Sequence, residues 1–174
     1  MKAHTVLVAI LAVPFLCAPA AVAADGKADG KADGTLTVAK TPVKLLHAYA
    51  QAQAGFFDPK KDDVLVILSD VPLSGAALTD PFERRKMEKE GKLHSVEAVV
   101  NAKGQAVNVT VRDKSFGGPE ASGASSEDAF EAKVNDGKTI SGRLFRKSPG
   151  ASFDDVPFTY DATFSAPVVP RAKK

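Results

Sequence analysis

Apolar and polar residues alternate along much of the chain with a period of two, which is the spacing of side chains on a β-strand. The alternation is clearest near the C-terminus, in apolar residues separated by single polar ones: Phe158, Tyr160, Ala162, Phe164 and Ala166. One face of this strand is expected to pack against a core and the other to meet water. Pro167 is expected to end the strand, because proline cannot donate a main-chain hydrogen bond.

Two hairpins are predicted where strand-like segments flank Asn and Gly residues, which accept the positive φ of tight turns. These hairpins pair 96–100 with 107–111, and 130–134 with 140–145. Further strands are predicted at 36–38, 43–50 and 64–68, and the last is a continuous apolar run typical of a central strand covered on both faces. The pattern predicts a mainly β fold, either an antiparallel β-sandwich or a barrel-like domain with one short helix.

The predicted helix has clear start and stop signals. Asp80 is suited to cap it, Pro81 to occupy its first position, and Glu83 to complete a capping box. Gly91 is expected to end it.

This helix offers little apolar surface. Phe82 and Met87 are its main apolar side chains, so we expect it to lie over a sheet edge or a barrel mouth. Arg84 and Glu88 are four residues apart and are expected to pair on its water-facing side.

The N-terminus carries the three parts of a secretory signal peptide over residues 1–23. Lys2 supplies the positive charge, an apolar run occupies 6–17, and small residues lead to a predicted cleavage site after Ala23. The apolar run is shorter than the roughly 20 residues of a membrane-spanning helix. We therefore predict an exported protein, periplasmic or secreted, without a membrane span once the signal is cleaved.

The rest of the chain is predicted to form one folded domain. Residues 24–34 repeat small and charged residues with nothing to bury, which is typical of a flexible spacer. A single β-rich domain is expected over 35–168, followed by a short basic tail at 169–174.

Charge and cysteine content restrict the function classes. The predicted signal contains one of the 23 basic residues, so 22 basic and 21 acidic residues remain. This balance lacks the basic excess of nucleic-acid-binding proteins, so no nucleic acid is predicted as a partner. Cys17 is the only cysteine and lies in the predicted signal, so the mature chain is expected to form no internal disulfide.

The histidines do not occur in the spacing of a known metal motif. A metal site would need His47 and His94 together with Asp63, Asp70 or Asp80. The chain has no His-x-His or His-Glu-x-x-His pattern to hold such ligands together. We therefore predict no metal, no cofactor and no assignable catalytic residue.

Two adjacent aromatic residues also stand out. Phe56 and Phe57 cannot both face one core from neighbouring positions on a strand. One of them is expected to be exposed, as aromatic residues at contact surfaces are. Alternatively, one closes the core and the other packs against the helix that contains Phe82.

Short segments in a fixed order cover nearly the whole predicted domain. They include His47, Ala48 and Tyr49; Phe57, Asp58 and Pro59; Leu68, Ser69 and Asp70; Asp80, Pro81 and Phe82; Lys92, Leu93 and His94; and Tyr160, Asp161 and Ala162. In these segments the chain resembles a family of small exported bacterial proteins of uncharacterised function. The resemblance implies an extracytoplasmic β domain and carries over no catalytic residues.

The leading hypothesis is a non-enzymatic binding or envelope-associated module whose partner is a small ligand or an envelope component. Its contact surface is predicted to gather six residues: His47, Tyr49, Phe56, Phe57, Asp70 and His94. A second hypothesis is a small hydrolase assembled from distant residues, because Ser69 and Ser74 lack the Gly-x-Ser-x-Gly context. A third is a structural or assembly role in the envelope, which predicts an exposed apolar patch or a pairable edge strand.

Overall fold

The computed structural model describes residues 29–117 and 121–171, and the predicted signal peptide at 1–23 lies outside them. The described strands are β1 (Gly30–Val38), β2 (Thr41–Ala54), β3 (Asp62–Ser69), β4 (Ser95–Val100), β5 (Ala106–Arg112), β6 (Ala121–Gly123), β7 (Asp128–Asn135), β8 (Thr139–Arg146), β9 (Gly150–Ala151) and β10 (Pro157–Val169). Two helices, α1 (Ala76–Thr79) and α2 (Pro81–Lys89), lie between β3 and β4.

The described strands form one antiparallel sheet that is strongly curled into a half-barrel. Its strand order is β6-β5-β4-β3-β2-β1-β10-β8-β7, with β9 paired to β10. The curl brings β5 towards β7, so the two edges of the sheet face each other across a seam. The prediction of a mainly β, barrel-like fold is confirmed, and both predicted hairpins are present as β4 with β5 and β7 with β8.

The main hydrophobic core fills the concave face of the sheet. The alternation in β10 is confirmed, because its apolar set Phe158, Tyr160, Ala162, Phe164 and Ala166 is buried there. The prediction that Pro167 ends this strand is wrong. The strand continues to Val169, because the Val168 amide still donates to the Lys138 carbonyl and Val168 pairs with Ala50 of β2.

Strand β3 is covered on both faces, as its continuous apolar run predicts. Val66 and Leu68 point into the main core. Ile67 points the other way, into a smaller convex-face cluster that includes Leu73 and Leu93. This second cluster lies beneath the helices.

Helix α2 begins and ends where the sequence signals place it. The Asp80 carboxylate accepts a hydrogen bond from the Phe82 amide at 2.8 Å, Pro81 is the first helical residue, and Gly91 follows the helix with φ of +67°. The sequence predicts one helix, and the described residues form two. Helix α1 has only four residues, and Gly75 before it provides no side-chain cap, so the sequence carries no start signal for it.

The water-facing pair predicted on α2 is wrong. Arg84 and Glu88 are buried against the sheet, where they join Glu97 of β4 and Arg112 of β5. We call these four residues the helix ion network. A helix with little apolar surface is therefore held on the convex face by charged side chains.

The first strand begins earlier than the predicted domain. Strand β1 starts at Gly30, inside the segment predicted to be a flexible spacer at 24–34. Lys31 pairs with Ser165 of β10 and with His47 of β2, so main-chain hydrogen bonding orders a segment that has few apolar side chains. At the other end, Val169 belongs to β10 rather than to the tail.

Candidate functional site

Three polar residues meet at one end of the central strands. Asp70 follows β3, His94 precedes β4 and Asp113 follows β5, and these ends are neighbours in the sheet. His94 Nδ1 lies 2.8 Å from Asp70 Oδ2, and His94 Nε2 lies 3.6 Å from Asp113 Oδ2. Asp70 Oδ1 also accepts the His94 amide at 2.8 Å. Of the predicted site residues, Asp70 and His94 therefore lie together, and Asp113, which was not among them, joins them.

The arrangement around His94 differs from that of a serine hydrolase. In such an enzyme one imidazole nitrogen faces a carboxylate and the other faces the nucleophile. Here both ring nitrogens face carboxylates, and no hydroxyl among the described residues is hydrogen-bonded to His94. The cluster therefore joins three strand ends and lacks a placed nucleophile.

His47 and Tyr49 lie further along the convex face. His47 is half-buried on β2, two strands away from β4. Tyr49 is buried, and its hydroxyl accepts a hydrogen bond from the Leu73 amide at 2.8 Å. Burial raises the pKa of the Tyr49 phenol, although the bond from Leu73 acts in the opposite direction. Its hydroxyl thus positions the segment before α1.

Phe56 and Phe57 lie at the opposite end of the sheet from Asp70. They occupy the loop from β2 to β3, and the eight residues of β3 separate this loop from Asp70, a span of about 25 Å. Both side chains are exposed, at 59% and 76%, and Phe82 is 77% exposed. The structure thus separates the predicted contact surface into two places, and neither phenylalanine packs against the helix.

A pocket lies in the seam between the two edges of the sheet. This seam pocket has a volume of about 480 Å³. Its apolar walls include Val109 and Val111 from β5, Phe158 from β10 and the exposed Phe153 from the loop after β9. Four segments distant in sequence form it, because the curl of the half-barrel brings the two edges together.

A buried polar cluster forms one side of the seam pocket. Arg146 Nη1 donates to Asp128 Oδ1 at 2.6 Å, and the Tyr160 hydroxyl donates to the same oxygen at 2.7 Å. The guanidinium carbon of Arg146 lies 5.3 Å from the centre of the Phe158 ring. Burial, together with the hydrogen bond and charge of Asp128, raises the pKa of Tyr160 well above its ordinary value.

One donor of this cluster is left unsatisfied within the described part of the chain. The Arg146 Nε atom is buried and has no hydrogen-bond partner among residues 29–117 and 121–171. Gly150 lies against it, and a Cβ built on that glycine would be 2.7 Å from Nε. A buried donor without a partner is costly in a folded protein, so this position is a candidate for a functional role.

Sequence reasoning missed every residue of the seam pocket. Arg146 and Asp128 are charged residues at the ends of β8 and β7, which is unremarkable in a sequence. Asp128 and Arg146 face each other in the β7–β8 register, and both side chains point inward. The sequence alone does not show this, because the inward direction is defined only by the curl of the sheet.

Within the described ranges, no cluster of potential metal-ligating side chains is arranged to hold a metal ion. Neither described helix is long and apolar enough to cross a membrane. Comparisons of the chain with family models, with curated proteins and with solved structures find no match.

Proposed function

We propose that this protein is an exported, non-enzymatic binding module that holds a small ligand in the seam pocket. One observation carries the proposal: the pocket is lined by apolar residues and by the mostly buried Arg146–Asp128 pair, whose Nη2 and Oδ2 atoms form no hydrogen bond with the described residues. Ligand sites in proteins are usually concave and mostly apolar, with a few placed polar groups. The proposal of export rests on the predicted signal peptide at 1–23.

The size of the pocket supports a small-molecule ligand. Its volume of about 480 Å³ falls within the range of roughly 300–1,000 Å³ that is common for such sites. The pocket is open at the seam, and the side chain of Phe153 is 84% exposed beside it. An exposed phenylalanine at the entrance of a pocket gives an incoming ligand apolar surface to cover.

The chain has no tryptophan, so a single introduced tryptophan reports on one place only. We would place it at the pocket with Phe153→Trp and in the loop from β2 to β3 with Phe57→Trp, which replaces a similarly exposed phenylalanine. Amino acids, sugars, fatty acids and cell-wall fragments are then titrated while tryptophan emission is recorded. The wild-type protein is screened in parallel for a rise in melting temperature.

The expected result is that at least one class changes the emission of the Phe153→Trp protein and leaves that of the Phe57→Trp protein unchanged. The same compound at 100 times its Kd should stabilise the wild-type protein by about 2.7 kcal/mol. The proposal fails if no class changes the emission of the Phe153→Trp protein. It also fails if every active compound affects the two reporters equally.

A second candidate function is contact with an envelope component through Phe56 and Phe57. Their loop is held by hydrogen bonds, from the Phe56 amide to Asp63 Oδ2 at 2.7 Å and from the Gly55 amide to the Lys61 carbonyl at 2.8 Å. These hydrogen bonds hold the loop in a conformation that exposes both phenyl rings to solvent. Exposed aromatic side chains of this kind are typical of contact surfaces.

Vesicle binding tests this second candidate. Wild-type protein and a Phe56→Ser/Phe57→Ser double variant are sedimented with vesicles of phosphatidylethanolamine and phosphatidylglycerol. If the loop contacts lipid, the wild-type protein sediments and the double variant stays in solution. Equal sedimentation of both proteins would rule out the loop as the lipid contact, and a Phe82→Ser variant controls for loss of any exposed phenylalanine.

A further inference from the structure

We infer that the seam pocket takes a small zwitterion of the amino-acid class, an inference that rests on the proposed function. The carboxylate of the ligand would bind Arg146, its ammonium would bind Asp128, and its apolar substituent would lie against Phe158 and the valines of β5.

Arg146 offers donors for a carboxylate. A guanidinium carries five N–H groups in a planar fork that matches two carboxylate oxygens. Among the described residues, the hydrogen bond of this group runs from Nη1 to Asp128. The Arg146 side chain is 14% exposed and lines the pocket, so it is shielded from bulk water but accessible to a ligand.

Asp128 offers the complementary acceptor. The bonds from Arg146 and from Tyr160 both end on its Oδ1 atom, so Oδ2 accepts no hydrogen bond from the part of the chain that the structure describes. The pocket therefore presents unused donors and an unused acceptor side by side. An α-amino acid likewise carries an acceptor and a donor close together, because its carboxylate and its ammonium are attached to the same carbon atom.

Charge balance favours a zwitterion over a simple acid or amine. Arg146 and Asp128 are the charged residues that line the pocket, and their formal charges cancel. A monocarboxylate would place an unbalanced negative charge beside Asp128, and an alkylamine would place an unbalanced positive charge beside Arg146. A net-neutral ligand avoids both costs, which are large where burial lowers the local dielectric.

The remaining walls select the substituent. Val109, Val111 and Phe158 give one part of the wall apolar surface, whereas the rest of the lining includes Ser122, Ser125 and Ser152. An unbranched alkyl side chain against the apolar part would bury apolar area without adding a polar group to satisfy. This favours an amino acid with an apolar side chain.

Three matched probes test the inference: norleucine, hexanoate, which lacks the ammonium, and pentylamine, which lacks the carboxylate. Each is titrated into the Phe153→Trp protein and into the wild-type protein in a thermal-shift assay. We expect norleucine to bind, and each truncated probe to bind at least about tenfold more weakly, because each loses one charge-assisted hydrogen-bonded contact.

Side-chain variants then assign the contacts. Arg146→Gln should reduce norleucine affinity at least about tenfold, and Asp128→Asn should do so as well. Arg143→Gln is the matched control, because Arg143 lies on the same strand but forms an exposed pair with Asp161. Circular dichroism and melting temperature establish that each variant is folded. If Arg146→Gln unfolds, Arg146→Lys retains the charge, removes the planar fork, and should still lower the affinity.

The outcomes separate this inference from the proposed function. Equal binding of norleucine and hexanoate, or undiminished norleucine binding by Asp128→Asn, overturns the zwitterion. The zwitterion is also overturned if norleucine does not bind while another compound of the wider panel changes the Phe153→Trp emission. In that case the proposed binding module still holds. If nothing in that panel binds, the module and the zwitterion fail together.

Discussion

Arg84 and Glu97 form a bidentate ion pair beneath helix α2, with Nε 2.9 Å from Oε1 and Nη2 3.0 Å from Oε2. Both side chains are almost fully buried. Arg84 Nη1 also donates to the Ala77 carbonyl at 2.9 Å, which connects α1 to the same residue. The position of both helices on the sheet therefore depends on a charged group at the centre of β4.

Removing the negative charge of Glu97 should be strongly destabilising. In a Glu97→Gln variant, Arg84 and Arg112 lose the charged partner that they share and stay buried. Breaking one partner of a buried ion pair costs about 3–5 kcal/mol. Urea denaturation followed by circular dichroism would measure this loss of unfolding free energy.

The matched control is Glu131→Gln, which removes an exposed glutamate 3.8 Å from Arg143. Exposed ion pairs contribute at most about 1 kcal/mol, so its unfolding free energy should change little. Equal stability of the two variants would mean that the helix ion network does not hold α2 in place.

Glu97 should also make stability depend on pH in the acidic range. Burial acts to raise its pKa, but the hydrogen bonds and charges of Arg84 and Arg112 together outweigh burial and hold the pKa below its ordinary value of 4.5. A carboxyl with a lowered pKa stabilises the folded state above its unfolded pKa, and this contribution is lost as the pH falls through the folded pKa. The difference in unfolding free energy between wild type and Glu97→Gln should be constant near neutrality and shrink below pH 4.5. If the difference in unfolding free energy stayed constant down to pH 3, about 1.5 units below the ordinary pKa of glutamate, this would contradict the role of Glu97 in the pH dependence.

The helix ion network also shows what the sequence could and could not predict. Alternation predicted the strands and hairpins, because side-chain period follows directly from strand geometry. The helical spacing of Arg84 and Glu88 predicted a water-facing pair, because spacing along one helix does not reveal what the opposite surface offers. Glu97 was the available signal, as a charged residue within the otherwise apolar run 96–100. The seam pocket depends on the curl of the sheet, which no local pattern in the sequence encodes.

Both tyrosines of the chain should resist ionisation in the folded protein. Burial raises the pKa of Tyr49 and of Tyr160 above the ordinary value of 10.0, and in Tyr160 the bond and charge of Asp128 add to this effect. A group with a raised pKa contributes stability below its unfolded pKa and loses it as the pH rises above that value. An absorbance titration should therefore reach half-ionisation of the tyrosines only above pH 10, together with unfolding monitored by circular dichroism. Half-ionisation of both tyrosines at or below pH 10 in a folded protein would contradict the raised pKa values.

The curl of the sheet should depend on the small side chains that face each other where β1 meets β10. Gly34 pairs with Ala162, and a Cβ built on Gly34 would lie 2.2 Å from the Ala162 Cβ. Gly34→Ala should therefore lower the unfolding free energy by about 1–3 kcal/mol, the usual cost of overpacking. Gly117→Ala is the control, because its Cβ would meet Asp154 Oδ2 at 3.4 Å, an ordinary contact.

A double variant identifies which atoms limit how closely β1 and β10 approach each other at Gly34. In Gly34→Ala/Ala162→Gly the side chains are exchanged, but the new Cβ would still lie 2.3 Å from the Cα of residue 162 and 2.5 Å from the Asp161 carbonyl oxygen. Because these are main-chain atoms, the exchange should recover only part of the lost stability. Full recovery would mean that side-chain volume alone limits the approach of the strands. A Gly34→Ala protein as stable as wild type would mean that β1 and β10 separate without cost, and that the curl does not require glycine here.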